Sequence, residues 1–283
     1  MSFLGRIRRN RLAFLGAMIL SVLVAFALLT PLVVAGDPNL MRPTLKSLPP
    51  SWSYWFGTDQ LGRDLFLRVM HGSRLSLGIS LAVALISLIV GTTLGIVAGY
   101  VGGWVDTVIG RIVDSLMAFP SILLALGVMA MLGASLENVI VALSLVYMPR
   151  VARVARAPVL AERKLEYVEA ARSGGASHAR ILFRHILPNV TSPIIVQATV
   201  VFAYAMVAEA TLGFLGVGVP PPEPSWGNLL ADGRRTLMVS PEQTIFPALA
   251  LGLTVLGINL LGDGLRDVLD PRMRGIGTNP TTG

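Results

Sequence analysis

The chain has 283 residues, 53% of them hydrophobic and only 14% charged, with a formal net charge of +7. That balance excludes an ordinary soluble domain, in which about a quarter of residues are charged. The lack of any cysteine excludes disulfides, thiolate metal ligands and a cysteine nucleophile.

The apolar residues gather into runs. Uncharged intervals cover 12–36, 75–105, 115–136, 186–208 and 243–262, and each reaches the length of about 20 residues that crosses a bilayer core. A sixth interval, 138–149, is too short alone. It crosses if Glu137 sits at one interface and Arg150 and Arg153 snorkel to the other. The expected fold is therefore an all-α membrane protein with six transmembrane helices. Residues 1–74 form an N-terminal segment with the first span. Residues 75–271 form the transmembrane domain, with spans near 75–100, 109–132, 137–157, 191–215 and 245–265, and residues 272–283 are a tail whose last nine positions read as disordered.

The first run follows Arg6, Arg8, Arg9 and Arg11 and exceeds the 7–15 or so residues of a cleaved leader, so it reads as a retained span. Residues 37–73 then form an external segment kept extended by Pro38, Pro43, Pro49 and Pro50. Thr58 or Asp59 is the expected cap of a short interfacial helix bearing Leu61, Leu65, Phe66 and Val69. The string Phe56-Gly57-Thr58-Asp59 followed by Leu61-Gly62-Arg63-Asp64 resembles the signature before the second span in the dipeptide/oligopeptide branch of ABC-importer permeases, in its C-type subunit.

Gly91, Gly95 and Gly99 make a small-residue stripe on the second span, for a close neighbour within this chain or in another. In the third span Arg111 and Asp114 are spaced as a local ion pair, and Phe119-Pro120 predicts a kink. Arg150, Arg153 and Arg156 predict a basic face at lipid-phosphate level, where Pro149 and Pro158 bend the exit of the fourth span.

Residues 162–189 are a polar interval that reads as two short helices. Leu165, Val168 and Ala171 line the first; Gly174 and Gly175 break it; Ser177 caps the second, which Pro188 stops. Glu169-Ala170-Ala171, Gly175 and Leu187-Pro188 resemble the EAA loop of ABC-importer permeases, with Gly174 where a larger apolar residue is usual. The resemblance implies a cytosolic coupling helix that docks into a separate ATPase, with Glu166, Glu169, Ala170, Ala171, Gly175, Leu187 and Pro188 as coupling residues. The stretch from Ala208 to Arg234 and the closing motif from Asn259 to Arg272 resemble the same branch. Glu209, Asp114 and Asn259 are candidates for lining the pathway or meeting a partner.

These resemblances imply a type I ABC-importer permease fold and import of di- or oligopeptides, with nickel or glutathione as alternatives. They also imply a second, B-type permease, one or two ATP-binding subunits carrying ATP and Mg, and an extracytoplasmic binding protein. The chain itself offers no phosphate-binding loop: its lysines are Lys46 and Lys164, and neither follows a glycine. No cofactor, metal site or catalytic group is expected in it. Fifteen of its 23 Lys and Arg fall on one side of the six-span plan and seven on the other, with Arg111 unassigned. The positive-inside rule puts both termini and the 162–189 loop in the cytosol of a bacterial-type inner membrane, and the basic excess suits orientation and anionic lipid better than nucleic acid. An ion-coupled secondary transporter would have no use for a docking loop, and no inverted repeat is visible. An intramembrane hydrolase needs a nucleophile–base or metal constellation, which His71, His178 and His185, all outside the spans, do not supply.

Overall fold

The computed structural model describes residues 10–33 and 36–269. Arg6, Arg8, Arg9, Asp270, Pro271, Arg272, Arg274 and the tail expected to be disordered lie outside them. Among the described residues the chain is helical, with one isolated bridge between Thr58 and Asp64. The helices are α1 (Arg11–Val33), α2 (Leu65–Val101), α3 (Gly103–Met117), α4 (Ser121–Leu132), α5 (Leu136–Glu162), α6 (Glu166–Ser173), α7 (His178–Phe214), α8 (Trp226–Gly233) and α9 (Glu242–Leu269). Helices α1, α2, α5, α7 and α9 are each long and apolar enough to cross a membrane, and α3 with α4 form a bent pair that adds a sixth crossing if the two count as one broken span.

Contacts between helix ends sort the chain onto two faces. On one, Asn10 donates to Asp267 (3.1 Å), Ser192 to the carbonyl of Leu269 (3.4 Å), and Tyr100 meets His178 (2.9 Å). On the other, Trp226 donates to the Val69 carbonyl (3.0 Å) and Gln243 to the Thr58 carbonyl (3.2 Å). A path of six crossings, with α3 and α4 taken as one broken span, connects these faces without conflict.

Helix α2 packs most extensively on α5, and the glycine stripe is the reason. A Cβ on Gly91 would stand 2.5 Å from the Met148 carbonyl oxygen, and one on Gly95 would stand 2.4 Å from that of Ala152. The stripe is therefore filled within this chain. Around that contact Ile79, Val83, Leu143, Val146, Val201 and Leu212 form a core shared by α2, α4, α5 and α7. Apolar side chains on the outside, such as Leu28 and Ile89, stay exposed, as a chain solvated by lipid requires.

Several expectations are corrected. The helix before the second span is not separate: α2 is continuous from Leu65, and its cap is Asp64, which accepts from the Leu67 amide at 3.2 Å. Thr58 and Asp59 are buried instead. Thr58 accepts from the Leu48 amide, and Asp59 accepts from the amides of Leu61 and Arg63 and from the Arg63 guanidinium. Arg63 reaches Asp232 at 3.5 Å and Arg68 reaches Asp59 at 3.7 Å, so the motif ties the external segment to α2 and α8.

Phe119-Pro120 gives a 92° break between α3 and α4 rather than a kink. Proline lacks an amide hydrogen, and its ring clashes with the preceding turn. The 12 residues of α4 rise only about 18 Å, short of the hydrocarbon core. Asp114 pairs not with Arg111 but with Arg153 on α5, and Asp106 takes both Nε and Nη2 of Arg156. Arg150 donates to Ser121 (2.9 Å) and lies over the Tyr147 and Tyr204 rings. The expected basic face on α5 is thus engaged by its own chain. Pro149 and Pro158 lie inside α5, which continues to Glu162.

Candidate functional site

The 162–189 interval is centred on α6, eight residues long. A helix this short is marginal alone and needs packing. Glu166 and Glu169 occupy its first turn and Arg172 its last, the arrangement the helix dipole favours. Val168 is its buried anchor. It sits with Ala155 and Val159 of α5 and with Ile181, Ile186 and Val190 of α7 in a second core. Tyr167 closes the other side: its hydroxyl donates to Glu162 and accepts from Asn189 (2.9 Å), whose amide also reaches the His185 carbonyl (2.9 Å). The only sequence signal for Tyr167 was an aromatic residue in a charged loop, and its role was missed.

The helix stops by a paired-hydrogen-bond cap. The Ala176 amide donates to the Ala171 carbonyl and the Gly175 amide to the Arg172 carbonyl, both at 3.0 Å, the pattern that ends helices with a left-handed residue. Gly175 is that residue, with φ +76, as expected; Gly174, with φ −76, is conformationally ordinary. Ser177 then caps the next helix, accepting from the Arg180 amide at 3.3 Å.

Pro188 does not stop that helix. α7 runs from His178 to Phe214 as one element, with a π-helical turn over Ile181–Ile186 just before Leu187 and Pro188. The wider turn ends where Pro188, which lacks an amide hydrogen, enters. The "second short helix" is therefore the N-terminal end of the fifth span itself, and Leu187 is part of its packing. Glu166, Glu169, Ala170, Gly175 and Pro188 are exposed, whereas Ala171 is half-buried against this chain's own core.

The remaining candidates are not brought together. Asp114 is engaged by Arg153 at the α3–α5 crossing. Asn259 is an exposed amide on α9. Glu209 is 1% exposed, enclosed by α2, α7 and the start of α8 beside the Ser76 and Ser225 hydroxyls, although neither carboxylate oxygen makes a bond of ordinary geometry. It has no surface to offer a second chain. Trp226, 1% exposed, seats that corner through its amide on Ser76 (3.1 Å) and its indole on Val69. No group of three His, Asp or Glu that could hold a metal occurs among the described residues.

Comparison with known proteins agrees with this geometry. Residues 91–275 match the family described as binding-protein-dependent transport system inner membrane component, and residues 2–50 match the N-terminal TM domain of oligopeptide transport permease C. The chain is 48% identical to a putative peptide transport system permease protein of Brucella abortus, covering 95% of this chain and 90% of that one. It is 44% identical to the dipeptide transport system permease protein DppC of Alkalihalophilus pseudofirmus, over 95% and 88% of the two chains. It is 43% identical to the glutathione transport system permease protein GsiD of Shigella flexneri, over 96% and 90%. Among solved structures it resembles the MetNI methionine ABC transporter in an inward-facing conformation, with TM-score 0.60 and 18% identity over 73% of this chain and 98% of that one. That likeness concerns the fold.

Proposed function

The chain belongs to the family of binding-protein-dependent transport system inner membrane components, and from that premise we propose that it forms half of the conduit of an ATP-driven importer of di- and oligopeptides. The peptide assignment is supported by the relatives that carry peptide and dipeptide names. A second, B-type permease completes the conduit, one or two ATP-binding subunits supply ATP and Mg, and an extracytoplasmic binding protein delivers substrate. The face bearing α6 carries Arg11, Arg153, Arg156, Arg163, Lys164, Arg172, Arg180, Arg184 and Arg266, and this excess supports placing it in the cytosol with both termini.

The observation that carries the coupling role is the two-sided build of α6. Its outer side offers Glu166, Glu169 and Ala170, while Val168 is locked into α5 and α7. A partner that grips the outer side moves both spans, because close-packed cores transmit displacement rather than absorb it. Gly175 fixes the turn, and Leu187-Pro188 lies at the root of the fifth span. Asn259 is an exposed amide within a span, without a side-chain hydrogen bond among the described residues, which suits a pathway wall or a second permease better than lipid.

The test is ATP-driven uptake into proteoliposomes holding the complete system. Labelled dipeptide should accumulate with ATP and not without it, and Glu169→Ala should reduce uptake while leaving α1–α9 folded. Accumulation without ATP would overturn the mechanism. The glutathione-named relative makes glutathione the second substrate to measure; saturable uptake of it with no dipeptide uptake would replace the peptide assignment.

A further inference from the structure

The arginines that sequence spacing marks as a lipid-facing row are spent: Arg153 and Arg156 face Asp114 and Asp106, and Arg150 faces Ser121. Positive charge remains free elsewhere. A cleft of about 680 Å³ opens where the end of α2 meets α6 and the start of α7, lined by Tyr100, Arg163, Lys164, Glu169, Arg172 and His178. Among the described residues, none of its three full cations is in an ion pair. With one carboxylate against three cations, the lining carries a net charge of about +2 at neutral pH.

The cleft is built rather than loose. Arg163 donates to the Tyr100 carbonyl at 3.1 Å, and the Tyr100 hydroxyl is held by His178 at 2.9 Å. Its depth is marked by neighbours. Val101 lines it and is 60% exposed, and Trp104, three residues on, is 77% exposed. An exposed tryptophan beside an apolar helix end is the pattern of a membrane–water interface. A cationic cleft at that level faces lipid phosphates.

We propose that this cleft binds the phosphodiester headgroup of an anionic phospholipid, with Arg163, Lys164 and Arg172 on the phosphate and the acyl chains passing Val101 and Trp104 into the bilayer. A lipid seated here touches α2, α6 and α7 at once, so it braces the gripped helix against the spans. The proposal rests on the reading of this face as the cytosolic membrane surface.

The experiment is native mass spectrometry of the purified full chain in detergent with added phosphatidylglycerol, compared with phosphatidylcholine. One phosphatidylglycerol per chain should be retained in preference to phosphatidylcholine. The Lys164→Gln/Arg172→Gln double variant, whose side chains are exposed, should weaken retention roughly 30-fold, two surface cations being removed. The Lys164→Arg/Arg172→Lys swap should keep it, which separates charge from folding. Equal retention of the two lipids, or full retention by the double variant, overturns the proposal. Displacement of the lipid by millimolar inorganic phosphate would make the cleft a free-phosphate site and also overturn it. If the double variant keeps phosphatidylglycerol but loses the ATP-binding subunit, the cleft docks protein and the proposal fails. Lipid retention is read on the permease alone and uptake on the assembled system, so either reading can fail without the other.

Discussion

Replacing Gly175 tests the coupling role at one residue. Its φ of +76 places it in the left-handed region, which costs a side-chain-bearing residue roughly 1–2 kcal/mol. No atom lies within 4 Å of the position its Cβ would take, so the whole cost is backbone strain. The strain falls on two hydrogen bonds, from Ala176 to Ala171 and from Gly175 to Arg172. Gly175→Val should therefore speed amide exchange at Ala176 by about 5- to 30-fold, the equivalent of 1–2 kcal/mol. Gly175→Asn, which tolerates this conformation, should do less. Gly174→Ala is the control, because Gly174 has an ordinary φ. Exchange is followed by mass spectrometry over 171–178, and capture of the ATP-binding subunit is measured on the same variants. Capture should weaken in the order Val, Asn, wild type, by no more than the exchange change, since a turn formed a fraction of the time lowers apparent affinity by that fraction. If Gly175→Val leaves Ala176 exchanging at the rate of an unprotected amide, so that the turn is mostly open, and still captures the subunit like wild type, the turn is structural only and the coupling reading fails.

Asp59→Ala leaves Arg63 and Arg68 buried without their shared carboxylate. It should cost about 3–5 kcal/mol, read as a large drop in Tm; an unchanged Tm would show that solvent replaces Asp59. Trp226→Ala empties the corner between α2 and α8 and should cost about 3–5 kcal/mol, with faster proteolysis of the 216–241 connection that contains α8 as the readout. Glu209→Gln preserves the shape beside Ser76 and Ser225 and should keep Tm, whereas Glu209→Ala should lower it by about 2–4 kcal/mol of stability; equal Tm for both would mean the carboxyl packs against nothing that matters. Because the chain has no cysteine, single cysteines report sidedness. A cysteine at exposed Arg180 should react only with reagents that enter the cytosol, and one at Met238, 96% exposed, only from outside. Labelling of both from one side would break the six-crossing arrangement.

The sequence by itself determined the membrane class, the long apolar helices and the position of the helix break in the 162–189 loop. Each of these rests on local properties: run length against bilayer thickness, a glycine pair that breaks a helix, a serine that caps the next. Gly175 and Ser177 behave as their chemistry dictates, because a turn and a cap involve only neighbouring backbone. Tertiary structure decided everything that depends on a partner far along the chain. Arg153 and Arg156 look like a lipid-facing row until α3 brings Asp114 and Asp106 against them. Asp59 looks like a helix cap until Arg63 and Arg68 enclose it, and Ala171 looks like an outward contact until the core around Val168 half-buries it. Pro188 looks like a stop until a π-helical turn ahead of it lets α7 continue as one helix. A charge or an apolar side chain is satisfied by whatever the fold brings near it, and sequence spacing carries that information only within a turn or two of helix.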